Sequence, residues 1–344
     1  MIATGARPLR NKVVTLADGG GGKSAAELVE KIFLPHLSNP ILSALSDGAV
    51  LPKINGRIAF TTDSFVVDPI FFPGGDIGSL AVHGTVNDLA VSGAKPLYLS
   101  AGFILEEGFP IEDLEKIAKS FGEAAKECGV LVVAGDTKVV ARGGADKIFI
   151  NTTGIGIVPD GVDISAKRAG EGDVIILSGT IGDHGTAILS RRKGLNFDSP
   201  VVSDSAPLNG LTAVMLEAEP DIRMMRDPTR GGLAATLTEI ARASGRGIVV
   251  EEDLIPVNEN VRAICELLGL DVMHVANEGK LVAFVPKNSA DKVLSAMRKY
   301  PLGRDAAIIG AVGGAPGGTV EMKTSFLGRR IVEALVGDQL PRIC

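Results

Sequence analysis

Two α+β sandwich domains of similar size are what this sequence predicts, and three observations predict them. At 344 residues the chain has room for about two domains of roughly 150 residues each. Apolar runs of strand length alternate with segments of helical period in both halves, as they do where helices pack on a sheet. Between the halves Pro159-Asp160-Gly161 interrupts the pattern, and proline and glycine punctuate a chain at turns. The boundary is set there, which gives domains at 46–160 and 161–336, an N-terminal segment at 1–45 and a tail at 337–344.

In the first half, strands are expected at 58–62, 98–105, 130–134 and 148–153, runs dominated by apolar and β-branched residues. Ile111, Leu114, Ile117, Phe121 and Ala125 recur at helical spacing, and Gly129 stands where that helix would stop. A second helix is expected from about Ile77 to Val91. In the second half, 174–177 and 281–285 read as strands. Leu233, Leu237 and Ile240 set a helix after Gly231-Gly232, and Val293, Met297 and Tyr300 mark another. The helices of both domains are expected to be exposed. The tail contains Pro341, has no room for a packed element and is expected to be mobile.

Composition narrows the function. Lys and Arg number 35 against 41 Asp and Glu, a net charge of −6, so the chain lacks the basic footprint of a nucleic-acid binder. Hydrophobic residues at 45% and charged residues at 22% suit a folded globular chain. No apolar stretch approaches the roughly 18 residues that would span a bilayer. Residues 1–8 lack the apolar core of a secretion signal, so the cytoplasm is the expected setting. Glycine is 43 of 344, about 12% against a usual value of about 7%, which suits tight turns and ligand-cradling loops. The three cysteines, Cys128, Cys265 and Cys344, form no CxxC pair and no disulfide framework. Cys128 and Cys265 fall on apolar helix faces and read as small core residues. His83 alone among the histidines lies in a motif; a packed or hydrogen-bonded role is expected for it, and no His/Cys cluster supports zinc.

The run Asp18-Gly19-Gly20-Gly21-Gly22-Lys23-Ser24 precedes a helical stretch. A Walker A loop would need glycine at 17, where Ala17 stands. Two readings remain, a flexible tether and a phosphate-facing lid whose main-chain donors reach an anion. Four aspartates stand out by context: Asp47 in Ser46-Asp47-Gly48, Asp63 and Asp136 just after apolar strands, and Asp88 in Asn87-Asp88-Leu89-Ala90. Converging carboxylates repel one another unless a hard cation such as Mg²⁺ neutralises them. Capping of turns and helix ends is the competing explanation for each, and it applies equally to Asp227, which precedes a helix.

Taken together, these segments resemble the ATP-binding superfamily of aminoimidazole ribonucleotide synthetase, thiamine-monophosphate kinase and selenophosphate synthetase. The resemblance is carried by the 18–24 loop, Thr61-Thr62-Asp63-Ser64 and Val82-His83-Gly84-Thr85-Val86-Asn87-Asp88-Leu89-Ala90. Further on it rests on Ala134-Gly135-Asp136-Thr137-Lys138, Asp227-Pro228-Thr229-Arg230-Gly231-Gly232, Asn277-Glu278-Gly279 and Pro341-Arg342-Ile343-Cys344. The similarity spans nearly the whole chain and is strongest to the branch that matures [NiFe] hydrogenase. It implies two related α/β-sandwich domains, the N-terminal ones pairing into a barrel-centred dimer, with Mg²⁺ and ATP bound between domains.

For the site, the resemblance implies that Gly19, Gly20, Gly21, Gly22, Lys23, Asn87, Thr137, Asn151, Arg230 and Gly231 hold the nucleotide. Asp47, Asp63, Asp88, Asp136 and Asp227 would hold the metal. The implied reaction is ATP-dependent dehydration of a carbamoyl group on Cys344 to a thiocyanate, with Glu278 as base and Lys138 as proton acceptor or phosphate partner. A HypF-type carbamoyltransferase would load the cysteine and a HypC–HypD scaffold would receive the cyanide. A thiol at position 344, the last of the sequence, suits this because it can swing between a donor, its own active site and an acceptor. Its α-carboxylate disfavours the thiolate and Arg342 partly offsets that. Selenophosphate synthetases place a reactive cysteine or selenocysteine in the glycine loop, and residues 17–24 contain none. Kinases and ligases of the superfamily have no need of a C-terminal thiol. A non-catalytic scaffold with a docking tail is the alternative from another class.

Overall fold

In the computed structural model, which describes residues 11–192, 201–335, 337 and 340–344, the glycine loop leads into a short helix, α1 (Lys23–Leu28), and after a wide turn into α2 (Leu34–Leu37). The first sheet comprises β1 (Arg57–Phe65), β4 (Lys95–Glu106), β5 (Leu131–Val140) and β6 (Ile148–Val158), in the order β1-β6-β4-β5. A two-stranded ribbon, β2 (Phe71–Phe72) with β3 (Gly75–Asp76), precedes helix α3 (Ile77–Val91). The pairs β1/β6 and β4/β6 are antiparallel and β4/β5 is parallel. A parallel pair needs a crossover, and α4 (Ile111–Cys128) supplies it, burying Leu114, Ile117, Phe121 and Ala125 and stopping at Gly129 in the left-handed conformation. The expected strands and both helices are therefore present, with strands that extend past the apolar runs.

One expectation is corrected. α3 is not an exposed helix: Ile77, Leu80, Ala81, Val82, Val86 and Ala90 are all buried, and it touches β1, β6, α4, α6 (Asn209–Ala218) and β8 (Met224–Arg226). Its polar residues His83, Thr85, Asn87 and Asp88 find partners across the surrounding elements rather than in solvent, and α3 is the wall shared by the two halves.

The second sheet has seven strands. With β7 (Val174–Leu177), β9 (Ile248–Glu251), β10 (Val282–Val285), β11 (Ala307–Val312), β12 (Val320–Lys323) and β13 (Arg329–Val332), its order is β13-β12-β9-β11-β7-β10-β8. Alternation along β7 and β10 feeds two cores. Ile175, Leu177, Val282 and Phe284 pack with α7 (Gly232–Ser244), while Ile176, Ala283 and Val285 pack with α6 and α9 (Ala290–Lys299). α5 (Asp183–Arg192) and α8 (Glu259–Leu268) instead join the core of the first domain through Ile188, Val261 and Ile264. Leu340 and Ile343 belong to that same core. The tail is thus docked here rather than loose, because two apolar side chains three residues apart anchor it. Among the described residues, no helix is long and apolar enough to cross a membrane.

Candidate active site

The sequence-predicted residues fall into two groups, at opposite edges of the first sheet. The first group surrounds a cleft of about 540 Å³ lined by Gly19, Gly21, Gly22, Asp47, Asp136, Thr137 and Lys138, over an apolar floor that includes Phe33, Leu37 and Phe103. The glycine loop lies directly against β5; a Cβ on Gly19 would sit 2.4 Å from the Val139 nitrogen, so only glycine permits that approach. Gly20 and Lys23 belong to the same loop, at the entry to α1. Lys138 Nζ donates to Asp136 Oδ1 at 2.7 Å, and this hydrogen bond holds the Asp136 carboxyl below its ordinary range. Both side chains are exposed.

The second group lies where the two domains meet. Asp63 lies on the inner face of β1, toward α3, Asp88 projects from α3, Asp227 follows β8, and Glu278 and Arg230 come from loops of the second domain. Burial, and next the neighbouring Asp88 carboxylate, raise Asp63 to about 6. Asp227 is pushed to about 7, first by burial and then by Asp88 and Asp63. Glu278 is raised well above the usual range by burial, then by Asp227, Asp204 and Asp63, with Arg230 opposing. Its Oε1 is buried and has no hydrogen-bond partner among the described residues. Thr61 Oγ1 donates to Asp88 Oδ2 at 2.7 Å and orients it. Asn151, on β6, donates to the Asp63 carbonyl at 2.8 Å and to Ser64 Oγ at 3.0 Å, on the open face of the sheet.

All these carboxylate donors are oxygens, which suits a hard cation, and Asp63 and Asp227 are raised first by burial and then by neighbouring carboxylates, with Arg230 opposing at Asp63 and Arg226 at Asp227. No three His, Cys, Asp or Glu side chains among the described residues are grouped to enclose a metal ion by themselves. Asp136 and Asp63 cannot share an ion within one chain: β5 and β1 are separated by three inter-strand steps, about 14 Å.

Asn87 departs from its expected role at the nucleotide. Its amide donates to the carbonyls of Ala206 at 3.0 Å and Glu278 at 3.2 Å and accepts from the Leu208 N–H at 2.7 Å. Both donors and the acceptor are occupied by backbone across the domain seam. Gly231, in the left-handed conformation, opens α7 beside Arg230. His83 is buried, with Nδ1 3.0 Å from Ser205 Oγ, and desolvation lowers it to about 4. Cys128 and Cys265 are buried, and burial pushes the Cys128 thiol up to about 12.

The tail pairs with the chain that leaves β1. Val66 N–H donates to the Cys344 carbonyl at 2.9 Å and Asp68 N–H to the Arg342 carbonyl at 3.3 Å. Arg342 Nε returns a hydrogen bond to the Val66 carbonyl at 2.8 Å, and its guanidinium reaches Asp146. Val66 is three residues beyond Asp63, about 10 Å along an extended chain. Sequence reasoning had not singled out Ser203, Asp204, Ser205, His184 or Arg192, which hold the tail and the Glu278 loop; they belong to no motif and adjoin their partners only in the fold.

The N-terminal domain of AIR synthase related proteins matches residues 45–158, and the C-terminal domain matches 170–323. A carbamoyl dehydratase HypE from Azotobacter vinelandii is 55% identical over 336 residues, 98% of either chain. A crystal structure of the hydrogenase maturation protein HypE in complex with ATP is 51% identical, with a TM-score of 0.92, over 96% of this chain and 99% of that one. A HypE–HypF complex structure is 51% identical, with a TM-score of 0.79, over 90% of this chain and 99% of that one. The chain belongs to the HypE carbamoyl dehydratase family, within the AIR synthase related proteins.

Proposed function

We propose that this chain uses ATP to dehydrate a carbamoyl group carried on Cys344, leaving a thiocyanate that supplies the cyanide ligand of [NiFe] hydrogenase. The observation that carries the reading is the docked tail: Cys344 pairs with Val66, three residues beyond Asp63, whose carboxylate neighbours include Glu278 with one oxygen unpartnered. In the reaction the amide oxygen attacks the γ-phosphorus of ATP and ADP leaves. The two N–H protons are then removed as phosphate departs, and the C≡N bond forms. Mg²⁺, held by one or two of the Asp63, Asp88 and Asp227 carboxylates together with the ATP phosphates, would neutralise charge on the transferring phosphoryl group. Glu278 lies at that cluster as the proton acceptor, and its buried surroundings keep water from competing for the amide. The main-chain donors of 19–22 and the side chains of Thr137 and Lys138 would bind phosphate at the other edge of the sheet.

The two groups of residues meet if two copies pair. The outer face of the first sheet presents Ile58 and Phe60, 58% and 68% exposed, with Ile104 and Leu131. An apolar face of this kind is suited to an interface. Two such sheets packed face to face close a barrel, and β5 with its cleft then adjoins the β1 edge of the partner, so that Lys138 of the partner subunit and Glu278 serve one site. A HypF-type carbamoyltransferase is the proposed donor, on the strength of the HypE–HypF complex, and a HypC–HypD scaffold the proposed acceptor. The test is intact mass after incubation with carbamoyl phosphate, ATP and the HypF-type partner. A gain of about 43 Da followed by an ATP-dependent loss of about 18 Da is expected for a covalent carrier, and Cys344→Ala abolishes both. Modification that survives Cys344→Ala refutes the assignment.

A further inference from the structure

We propose that His184 is a positioning residue for the dehydration, seating Cys344, and that Ser203-Asp204-Ser205 ties that seat to the Glu278 loop. This inference rests on the functional reading above only for the step it serves; the seat itself is tested separately.

His184, on α5, is wholly buried. Its Nε2 lies 2.8 Å from the Ile343 carbonyl oxygen and its Nδ1 2.7 Å from Ser203 Oγ. A carbonyl can only accept, so Nε2 carries the proton. Nδ1 of the neutral ring then accepts from the Ser203 hydroxyl, whose oxygen in turn accepts the Ser205 N–H at 3.1 Å. Every donor and acceptor along this chain is matched in one direction, which fixes the tautomer. The edge of the ring stands at 90° to Phe72, 5.5 Å between centroids, so the imidazole plane is set by packing as well. Arg192, at the end of the same helix, donates to the Pro341 carbonyl at 2.6 Å and to that of Arg342.

The next residue of the tripeptide faces the catalytic loop. Asp204 accepts the Glu278 N–H at 3.1 Å and the Gly279 N–H at 3.2 Å, and Lys280 Nζ lies 3.3 Å from it. A Cβ on Gly279 would fall 1.8 Å from the Asp204 carbonyl oxygen, so the two loops touch backbone to backbone. Ser205 Oγ holds His83 on α3, five residues before Asp88. Three successive side chains thus grip the tail, the proton acceptor and the helix that carries Asp88. When the tail leaves, the His184 Nε2–H loses the Ile343 carbonyl as its acceptor, which favours the docked position.

The test compares His184→Leu, which keeps bulk and removes both polar atoms, with His184→Gln, whose amide can donate to Ile343 and accept from Ser203. Iodoacetamide alkylation of Cys344, resolved by peptide mass without ATP or any partner protein, reads the seat directly. Loss of one such hydrogen bond makes His184→Leu react about fivefold to tenfold faster. Its single-turnover dehydration slows by a similar factor while carbamoyl loading does not, and His184→Gln restores both. Equal alkylation rates in the parent and His184→Leu overturn the proposal, as does a His184→Gln variant as impaired as His184→Leu. If His184→Leu does not fold, Ser203→Ala, which deletes only the hydroxyl that sets the ring, must raise the alkylation rate, and an unchanged rate there overturns it. Because alkylation needs no turnover, it decides the seat even if no dehydration is found.

Discussion

Replacing Asp227 by asparagine removes one charge from the domain seam and keeps the shape of the side chain. In the folded protein this carboxyl titrates at about 7, against 3.8 for its unperturbed counterpart, because it is buried and faces Asp88 and Asp63. The folded state therefore binds this proton more tightly than the unfolded chain does. Stability from that proton is fully present below 3.8 and is lost progressively as pH rises to about 7. A difference of about three pH units corresponds to about 4 kcal/mol at neutral pH and above. An asparagine amide has no such proton to lose, so Asp227→Asn escapes the loss. Melting curves in Mg²⁺-free buffer should show the variant more stable than the parent, with a gain that grows by roughly 3 kcal/mol between pH 5 and pH 8. Adding Mg²⁺ and ATP should raise the melting temperature of the parent and raise that of the variant less, because ligand that binds only the native state stabilises it. A gain that stays flat with pH, or a variant less stable than the parent at pH 8, would refute the picture of a like-charged cluster awaiting a cation.

Two further substitutions test other parts of the reading. Asn87→Ala strips three backbone groups of their partners, at Ala206, Leu208 and Glu278, and should cost about 2–4 kcal/mol, seen as a lower melting temperature without nucleotide. An unchanged melting temperature with weakened ATP binding would instead place the Asn87 amide at the nucleotide. Phe60→Asp puts a charge on the open sheet face and should convert a dimer to a monomer by light scattering, with ATP turnover lost; a dimer that persists places the interface elsewhere.

Which of these features a reader of the sequence can reach depends on whether the signal is local. The bounds of α3 follow from its apolar run, but its burial on all sides was not legible, since Ser79, His83 and Asn87 stand four residues apart and look in sequence like a solvent-facing stripe. In the tail, Pro341 and brevity suggest mobility, while Leu340 and Ile343 are apolar side chains that pack in the core of the first domain, a contact no local pattern announces. Asp63 and Asp136 carry the same local signature, an aspartate after an apolar run, yet the order β1-β6-β4-β5 sends them to opposite edges. Strand order is not written in periodicity, so no pattern in either segment could separate a half-buried carboxylate near Glu278 from an exposed one paired with Lys138. Asn87 shows the same limit from another side. Its partners lie 119 and 191 residues away, and an amide that satisfies distant backbone looks, in sequence, like one awaiting a ligand. The resemblance to a family supplies candidates for the chemistry, and the sheet order sets Lys138 and Glu278 on opposite edges, so the proposed reaction, which uses both, calls for the pairing of two chains that Phe60→Asp tests.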